Sequence, residues 1–158
     1  MKTNKWFWIW LCLTAGATAF VIYNGLQGAE DSHSASDSVI DFIRPLLEWM
    51  ESLVGKANWD FWVRKAAHFT EYTALSVCAN ALAKQIQTRM GRPFIAHALL
   101  YGLLVAVTDE LLQGFVGRTS AVTDVLIDFS GCLFGLVLVI LLQVFRNRKK
   151  ACSSKYVK

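Results

Sequence analysis

The hydrophobic and polar positions of the chain divide it into long apolar runs separated by polar segments. The apolar runs cover about residues 6–28, 61–83, 94–113 and 123–145. An α-helix rises about 1.5 Å per residue, so a run of about 20 residues crosses the roughly 30 Å hydrocarbon core of a bilayer. The pattern predicts an all-α fold, a membrane bundle of four transmembrane helices.

The first run has a second interpretation as a cleaved signal peptide, because Ala17-Thr18-Ala19 loosely resembles a cleavage site. Its apolar stretch continues through Phe20 and on to Tyr23, which makes it too long for the core of an ordinary signal peptide. We therefore expect the run to be retained as a membrane span.

The segment between the first two runs, residues 29–58, shows a different pattern. Between residues 39 and 54 the apolar positions recur at helical spacing, with Asp41, Arg44 and Glu48 on the opposite side. Pro45 would kink this helix or begin a second one. We predict an amphipathic helix in the membrane interface, which serves either as a lid over a site or only for packing.

Composition supports a membrane protein, since 54% of the 158 residues are hydrophobic and the mean hydropathy is +0.38. The net charge of +4 comes from basic residues near both termini and at residues 84–93, which is a positive-inside pattern rather than a nucleic-acid surface. We expect one transmembrane domain over residues 1–150 and a basic tail over 151–158. Both termini would lie on the cytoplasmic side of the cell membrane, with the lipid bilayer as partner and no nucleic acid.

Ionisable residues concentrate where this topology places the outer ends of the last three runs. Inserting each such group into a bilayer costs roughly 2.5–3.5 kcal/mol, so these groups usually face one another and mark a functional site. The alternative is a polar network that only holds the helices together. The ionisable residues are Arg64, Lys65, His68 and Glu71 in the second run, Asp109 and Glu110 in the third, Arg118 in the loop that follows, and Asp124 and Asp128 in the fourth, with the neutral amide Gln113 beside those of the third run.

Helical spacing predicts which way the aspartates of the fourth run face. Asp124 and Asp128 lie on one stripe with Gly131 and Gly135. Small residues allow the backbones of neighbouring membrane helices to approach closely. We therefore expect both carboxylates to face the interior of the bundle, toward an outward-facing polar site, rather than lipid.

The charge balance of this cluster bears on cofactors. Three cations stand against five carboxylates, an excess that favours a protonated carboxylate, a protonated His68 or a bound divalent cation. The candidate metal ligands are Asp109, Glu110 and Asp128. No dedicated ligand motif and no Cys/His spacing accompanies them, so the cofactor stays open.

The residue types also indicate chemistry. His68 is the candidate general acid or base, with Glu71 orienting it or sharing its proton and Asp124 completing the catalytic group. Cationic and amide side chains suit the phosphate or carboxylate of a substrate. The candidate substrate-binding residues are Arg64, Lys65, Gln113 and Arg118.

Taken together and in this order, the polar motifs resemble those of the VanZ-like family of bacterial integral membrane proteins, over roughly residues 5–145. The matching motifs are Arg64-Lys65-x-x-His68-Phe69-x-Glu71-Tyr72, Asp109-Glu110-x-x-Gln113-x-Phe115-x-Gly117-Arg118 and Asp124-Val125-x-x-Asp128-x-x-Gly131-x-x-x-Gly135. Many relatives carry Asn at the position of Asp128. The resemblance implies a membrane protein of the cell envelope and, through the founding member of the family, a link to teicoplanin resistance. It supplies no substrate, cofactor or mechanism.

Two classes of function fit these observations. The first is an envelope-modifying enzyme that acts on a lipid-linked or amphipathic substrate at the outer face of the membrane. The second is a non-catalytic membrane protein that binds a lipid, a glycopeptide or a partner protein in the same site. The sequence leaves open whether there is a reaction, because no Ser or Cys nucleophile with a clear base partner is evident. It also leaves the oligomeric state open.

Overall fold

The computed structural model describes residues 5–27, 56–118 and 120–155, and in this part of the chain it shows four α-helices and no strand. The helices are α1 (Lys5–Leu26), α2 (Lys56–Met90), α3 (Ile95–Phe115) and α4 (Val122–Lys155). The all-α prediction is therefore confirmed. The amphipathic helix predicted between residues 39 and 54 lies outside the described residues.

Three of these helices are long and apolar enough to cross a membrane. They are Lys5–Leu26, Ile95–Phe115 and the first part of α4, Val122–Lys149. Large apolar side chains such as Phe20, Leu104 and Leu126 are exposed on them, as expected for surfaces that face lipid. The chain is thus a multi-pass membrane protein that associates with a bilayer.

The second predicted span falls within α2, whose composition does not meet the same criterion. This helix has 35 residues, which is more than long enough, but it carries Arg64, Lys65 and Glu71 in its first half. It also lies at the centre of the bundle, since it contacts all three other helices and packs most extensively on α4. Tyr72 and Leu75 of α2 are fully buried there. The most polar helix is therefore covered by the apolar ones.

Pairs of contacts along the interfaces give the helix directions. Residue numbers that rise together across an interface indicate parallel helices, and opposite trends indicate antiparallel ones. The pairs are Lys65–Asp124 and Thr73–Gly135 between α2 and α4, Thr18–Tyr101 and Gly25–Asp109 between α1 and α3, and Gly102–Cys132 and Glu110–Ala121 between α3 and α4. Thus α1 and α3 run one way, and α2 and α4 run the other way.

This arrangement gives the bundle two chemically different ends. At the polar end, α1 and α3 end and the apolar segments of α2 and α4 begin. This end contains the ionisable cluster. The basic end is the opposite one. It carries Arg89 and Arg92 around the turn between α2 and α3, and Arg146, Arg148 and Lys149 on α4.

The two glycines of the α4 stripe explain how closely α2 and α4 pack. A Cβ atom on Gly131 would lie 2.5 Å from the backbone oxygen of Phe69, and one on Gly135 would lie 2.6 Å from that of Thr73. The close approach predicted from the sequence is confirmed, and the neighbouring helix is α2. It also allows the Ser76 hydroxyl to donate a 2.6 Å hydrogen bond to the backbone oxygen of Cys132.

We expect Gly135→Ala to destabilise the protein by about 1–3 kcal/mol, because the added methyl group overpacks a tight interface. The matched control is Gly16→Ala, since a Cβ atom on Gly16 would meet no atom within 4 Å. Thermal unfolding of both variants in the same detergent measures the difference. An equal effect of the two substitutions would contradict close packing of α2 on α4.

Candidate functional site

A cavity of about 700 Å³ lies at the polar end, between α2, the end of α3 and the start of α4. Apolar side chains such as Phe61 and Ile127 also border it. Six of the site residues predicted from the sequence line this cavity: Arg64, Lys65, His68, Gln113, Arg118 and Asp124. The structure therefore places all four predicted substrate-binding residues around one space.

The wall of the cavity is predominantly cationic. Lys65 forms an ion pair with Asp124, so the one carboxylate of the wall already has a partner. The Arg118 guanidinium donates a 3.3 Å hydrogen bond to the backbone oxygen of Asn24. Arg64 makes no hydrogen bond or ion pair with a residue whose side chain the structure describes, a set that excludes residues 56–60. Neither guanidinium group forms an ion pair with a carboxylate among the described side chains, and both suit an anionic ligand.

A buried acidic group lies beside the histidine of the cavity. The Nδ1 atom of His68 is 3.7 Å from Oδ1 of Asp128, and one oxygen of Asp109 lies within 4.8 Å of both residues' ligand atoms. Asp109 and Asp128 are each only 1% exposed. The carboxylate that faces His68 is therefore Asp128, whereas the sequence predicts Glu71 in this position. The helical stripe of α4 explains the difference, because it turns Asp128 toward α2.

Asp109 is held by two donors from its surroundings. The Tyr72 hydroxyl and the Gln113 amide donate hydrogen bonds of 3.4 and 3.0 Å to its Oδ2 atom. On the other side, a Cβ atom added to Gly25 would collide with the Asp109 carboxylate. Gly25 thus allows the end of α1 to close over this buried acid. Gln113, predicted as a substrate ligand, borders the cavity and also orients Asp109.

Glu110, one of the predicted metal ligands, is engaged elsewhere. Its Oε1 atom accepts a hydrogen bond from the backbone N–H of Ala121, immediately before α4 begins. This contact ties the end of α3 to the start of α4. Glu110 consequently does not belong to the group formed by His68, Asp109 and Asp128.

Asn24 links α1 to the site, and sequence reasoning missed it. Its side-chain amide donates a 3.0 Å hydrogen bond to Glu71, and its backbone oxygen accepts the bond from Arg118. Glu71 therefore pairs with α1 rather than with His68. The available signals were the amide of Asn24, near the end of an otherwise uncharged apolar run, and the place of Tyr72 in the family-like motif. Gly25 gave no signal that separates it from an ordinary core residue.

Comparison with known families identifies the chain. Residues 7–143 match the VanZ/LLP1 family. The chain belongs to this family. The resemblance inferred from the polar motifs is thereby confirmed, and the matched range contains the whole site of this VanZ/LLP1 member. No curated protein and no solved structure gives a match to the chain.

The Asn24–Glu71 hydrogen bond should contribute measurably to the stability of this VanZ/LLP1 member. We expect Asn24→Leu to cost about 1.5–3 kcal/mol, the usual range for a hydrogen bond to a charged group. The Glu71→Leu background should remove most of that cost, because the Glu71 carboxylate is then no longer present to be left unpaired. The double-mutant cycle consists of wild type, the two single variants and the double variant, and their free energies of unfolding are measured in mixed micelles. Strictly additive effects of the two substitutions would contradict the contact.

Proposed function

We propose that this VanZ/LLP1 member is a cell-envelope protein of the bacterial membrane that binds the anionic head group of a lipid-linked or amphipathic molecule. The observation that supports it best is the cationic wall of the cavity at the polar end, where neither Arg64 nor Arg118 forms an ion pair with a carboxylate among the described side chains. A phosphate or carboxylate head group would form ion pairs with these guanidinium groups, while the apolar tail of the molecule would remain in the lipid beside the bundle.

The proposed topology has four transmembrane helices in a single domain over residues 1–150, followed by a basic cytoplasmic tail over 151–158. Its support is the alternation of helix directions, since α2 runs between three apolar helices and antiparallel to α1 and α3. The basic end would face the cytoplasm by the positive-inside rule. The cavity would then open toward the outer face, with both termini cytoplasmic and the amphipathic segment around residues 39–54 at the same face.

Fusions at the C-terminus test this topology. A green fluorescent protein fused after Lys158 should fluoresce, because it folds on the cytoplasmic side, and an alkaline phosphatase fused there should stay inactive. The opposite pair of results would show that the bundle has the inverse orientation, with the cavity open to the cytoplasmic side. Fusions after Gly117, at the polar end, provide the control and should give the reverse pattern.

For a reaction, we propose His68 as the general acid or base that transfers a proton to or from the bound molecule. It is the imidazole that lines the cavity, and its Nδ1 atom faces Asp128 at 3.7 Å. Asp124 would hold Lys65 toward the head group through their ion pair. Glu71 would act indirectly, because it fastens α1 across the site through Asn24.

The resistance role of the founding member gives the proposal a cellular readout. In a teicoplanin-sensitive host, the wild-type chain should raise the inhibitory concentration of the antibiotic, and His68→Ala should abolish the increase. Loss of a general acid or base lowers a reaction rate by about 10²–10⁴-fold. The matched control is His97→Ala, since His97 is an exposed histidine of α3 that borders only an apolar groove.

Membrane abundance of each variant has to be measured in the same cells. Equal abundance with protection lost only in His68→Ala supports a working site. Full protection by His68→Ala would remove the acid–base role and leave the non-catalytic alternative, in which Arg64→Ala and Arg118→Ala are the damaging changes. No protection by wild type would show that teicoplanin resistance is not a property of this chain.

A further inference from the structure

Three side chains converge as metal ligands do, at the place where His68 in the cavity wall meets two aspartates buried behind it. His68, Asp109 and Asp128 each present one nitrogen or oxygen atom, and these atoms lie within 4.8 Å of one another. They come from three different helices, α2, α3 and α4. The group therefore exists only in the folded bundle, and neighbouring positions in the sequence do not form it.

The distances fit a shared ion. Two ligand atoms that each lie about 2.1 Å from one metal ion are separated by roughly 3.0–4.2 Å, for bond angles from 90 to 180°. The separation of 3.7 Å between His68 Nδ1 and Asp128 Oδ1 falls inside this range. The upper limit of 4.8 Å for the whole group exceeds the largest separation in this range by about 0.6 Å, which a side-chain rotation can absorb.

The hydrogen bonding of these residues points to a missing positive partner. Both oxygens of Asp128 are buried without a hydrogen-bond partner among the described residues, and so is Nδ1 of His68. Asp128 is 1% exposed, so water does not solvate it from the surface. A buried carboxylate with no partner is strongly unfavourable, and a bound cation removes the penalty.

The donor set indicates the kind of cation. An imidazole nitrogen with two carboxylates suits first-row transition metals and zinc, whereas magnesium and calcium prefer oxygen ligands alone. We propose that His68, Asp109 and Asp128 bind one divalent transition-metal ion of the Zn²⁺ or Mn²⁺ type beside the cavity, where His68 borders it. Tyr72 and Gln113 orient Asp109 from behind, in the manner of outer residues around known metal sites.

This ligand set differs from the one predicted from the sequence. His68 takes the place of Glu110, which is bonded to the backbone of Ala121. An ion held by three protein ligands keeps a position open for a further ligand, and the cationic wall lies on the cavity side. The purpose of the ion, to hold a phosphate or carboxylate together with that wall, rests on the proposed binding of a head group, whereas the binding of the ion itself does not. A His68 that coordinates the ion through Nδ1 is a ligand and no longer a general acid or base, so the metal site replaces the proton-transfer role proposed above.

The test is metal binding by the purified full-length protein in detergent. Wild type purified without chelator should contain one zinc or manganese ion per chain by mass spectrometry, and the chelator-treated protein should rebind Zn²⁺ or Mn²⁺ with the same stoichiometry. Asp128→Asn should weaken binding by more than about 100-fold, since even an outer-residue substitution costs about 10–100-fold. Glu110→Gln is the matched control and should bind as wild type does.

Folding is checked by thermal unfolding of the metal-free proteins. The added ion should raise the unfolding temperature of wild type and Glu110→Gln, and leave that of Asp128→Asn unchanged. Failure of wild type to bind either ion at one per chain overturns the metal site, as does equal binding by Asp128→Asn. Wild type that protects cells against teicoplanin but binds no metal when purified would overturn the site and leave the proposed function intact. Wild type that binds metal but does not protect would keep the site and count against the proposed function.

Discussion

The structure depends on the requirement that charged and polar side chains within membrane helices find partners inside the bundle, because lipid offers none. Helix α2 carries more of the ionisable cluster than any other helix, and it consequently lies at the centre, in contact with α1, α3 and α4. The apolar helices supply the lipid-facing surface, on which side chains such as Leu104 and Leu126 are exposed. The arrangement inverts a soluble protein, whose polar side chains lie outside.

Glycines make the polar interior possible. Gly131 and Gly135 bring α4 against the backbone of α2, and Gly25 leaves room for the Asp109 carboxylate under the end of α1. Larger side chains at these positions would separate the helices and break the short polar contacts between them. The glycines therefore allow the helices to approach closely enough for the ionisable side chains to contact one another.

Charges are separated by depth at the polar end. The guanidinium groups of Arg64 and Arg118 border the cavity, whereas Asp109 and Asp128 are buried behind its wall. His68 belongs to both regions, since it lines the cavity and faces Asp128. An anion entering the cavity would thus meet cations first and the imidazole next, and the buried carboxylates would act on it only through the histidine or through an ion that they hold.

The sequence by itself determined the helical class, the family, and the set of ionisable residues, because hydrophobic length and helical spacing are local properties. The stripe of Asp128 with Gly131 and Gly135 even indicated which face of α4 turns inward. Only the tertiary structure decided the partners. Spacing along one helix cannot say which neighbour stands opposite, so Asp128 rather than Glu71 faces His68, Glu71 pairs with Asn24 of α1, and Glu110 bonds to the backbone before α4. The physical reason is that these pairings depend on how each helix is rotated about its own axis and on how closely it packs against its neighbours.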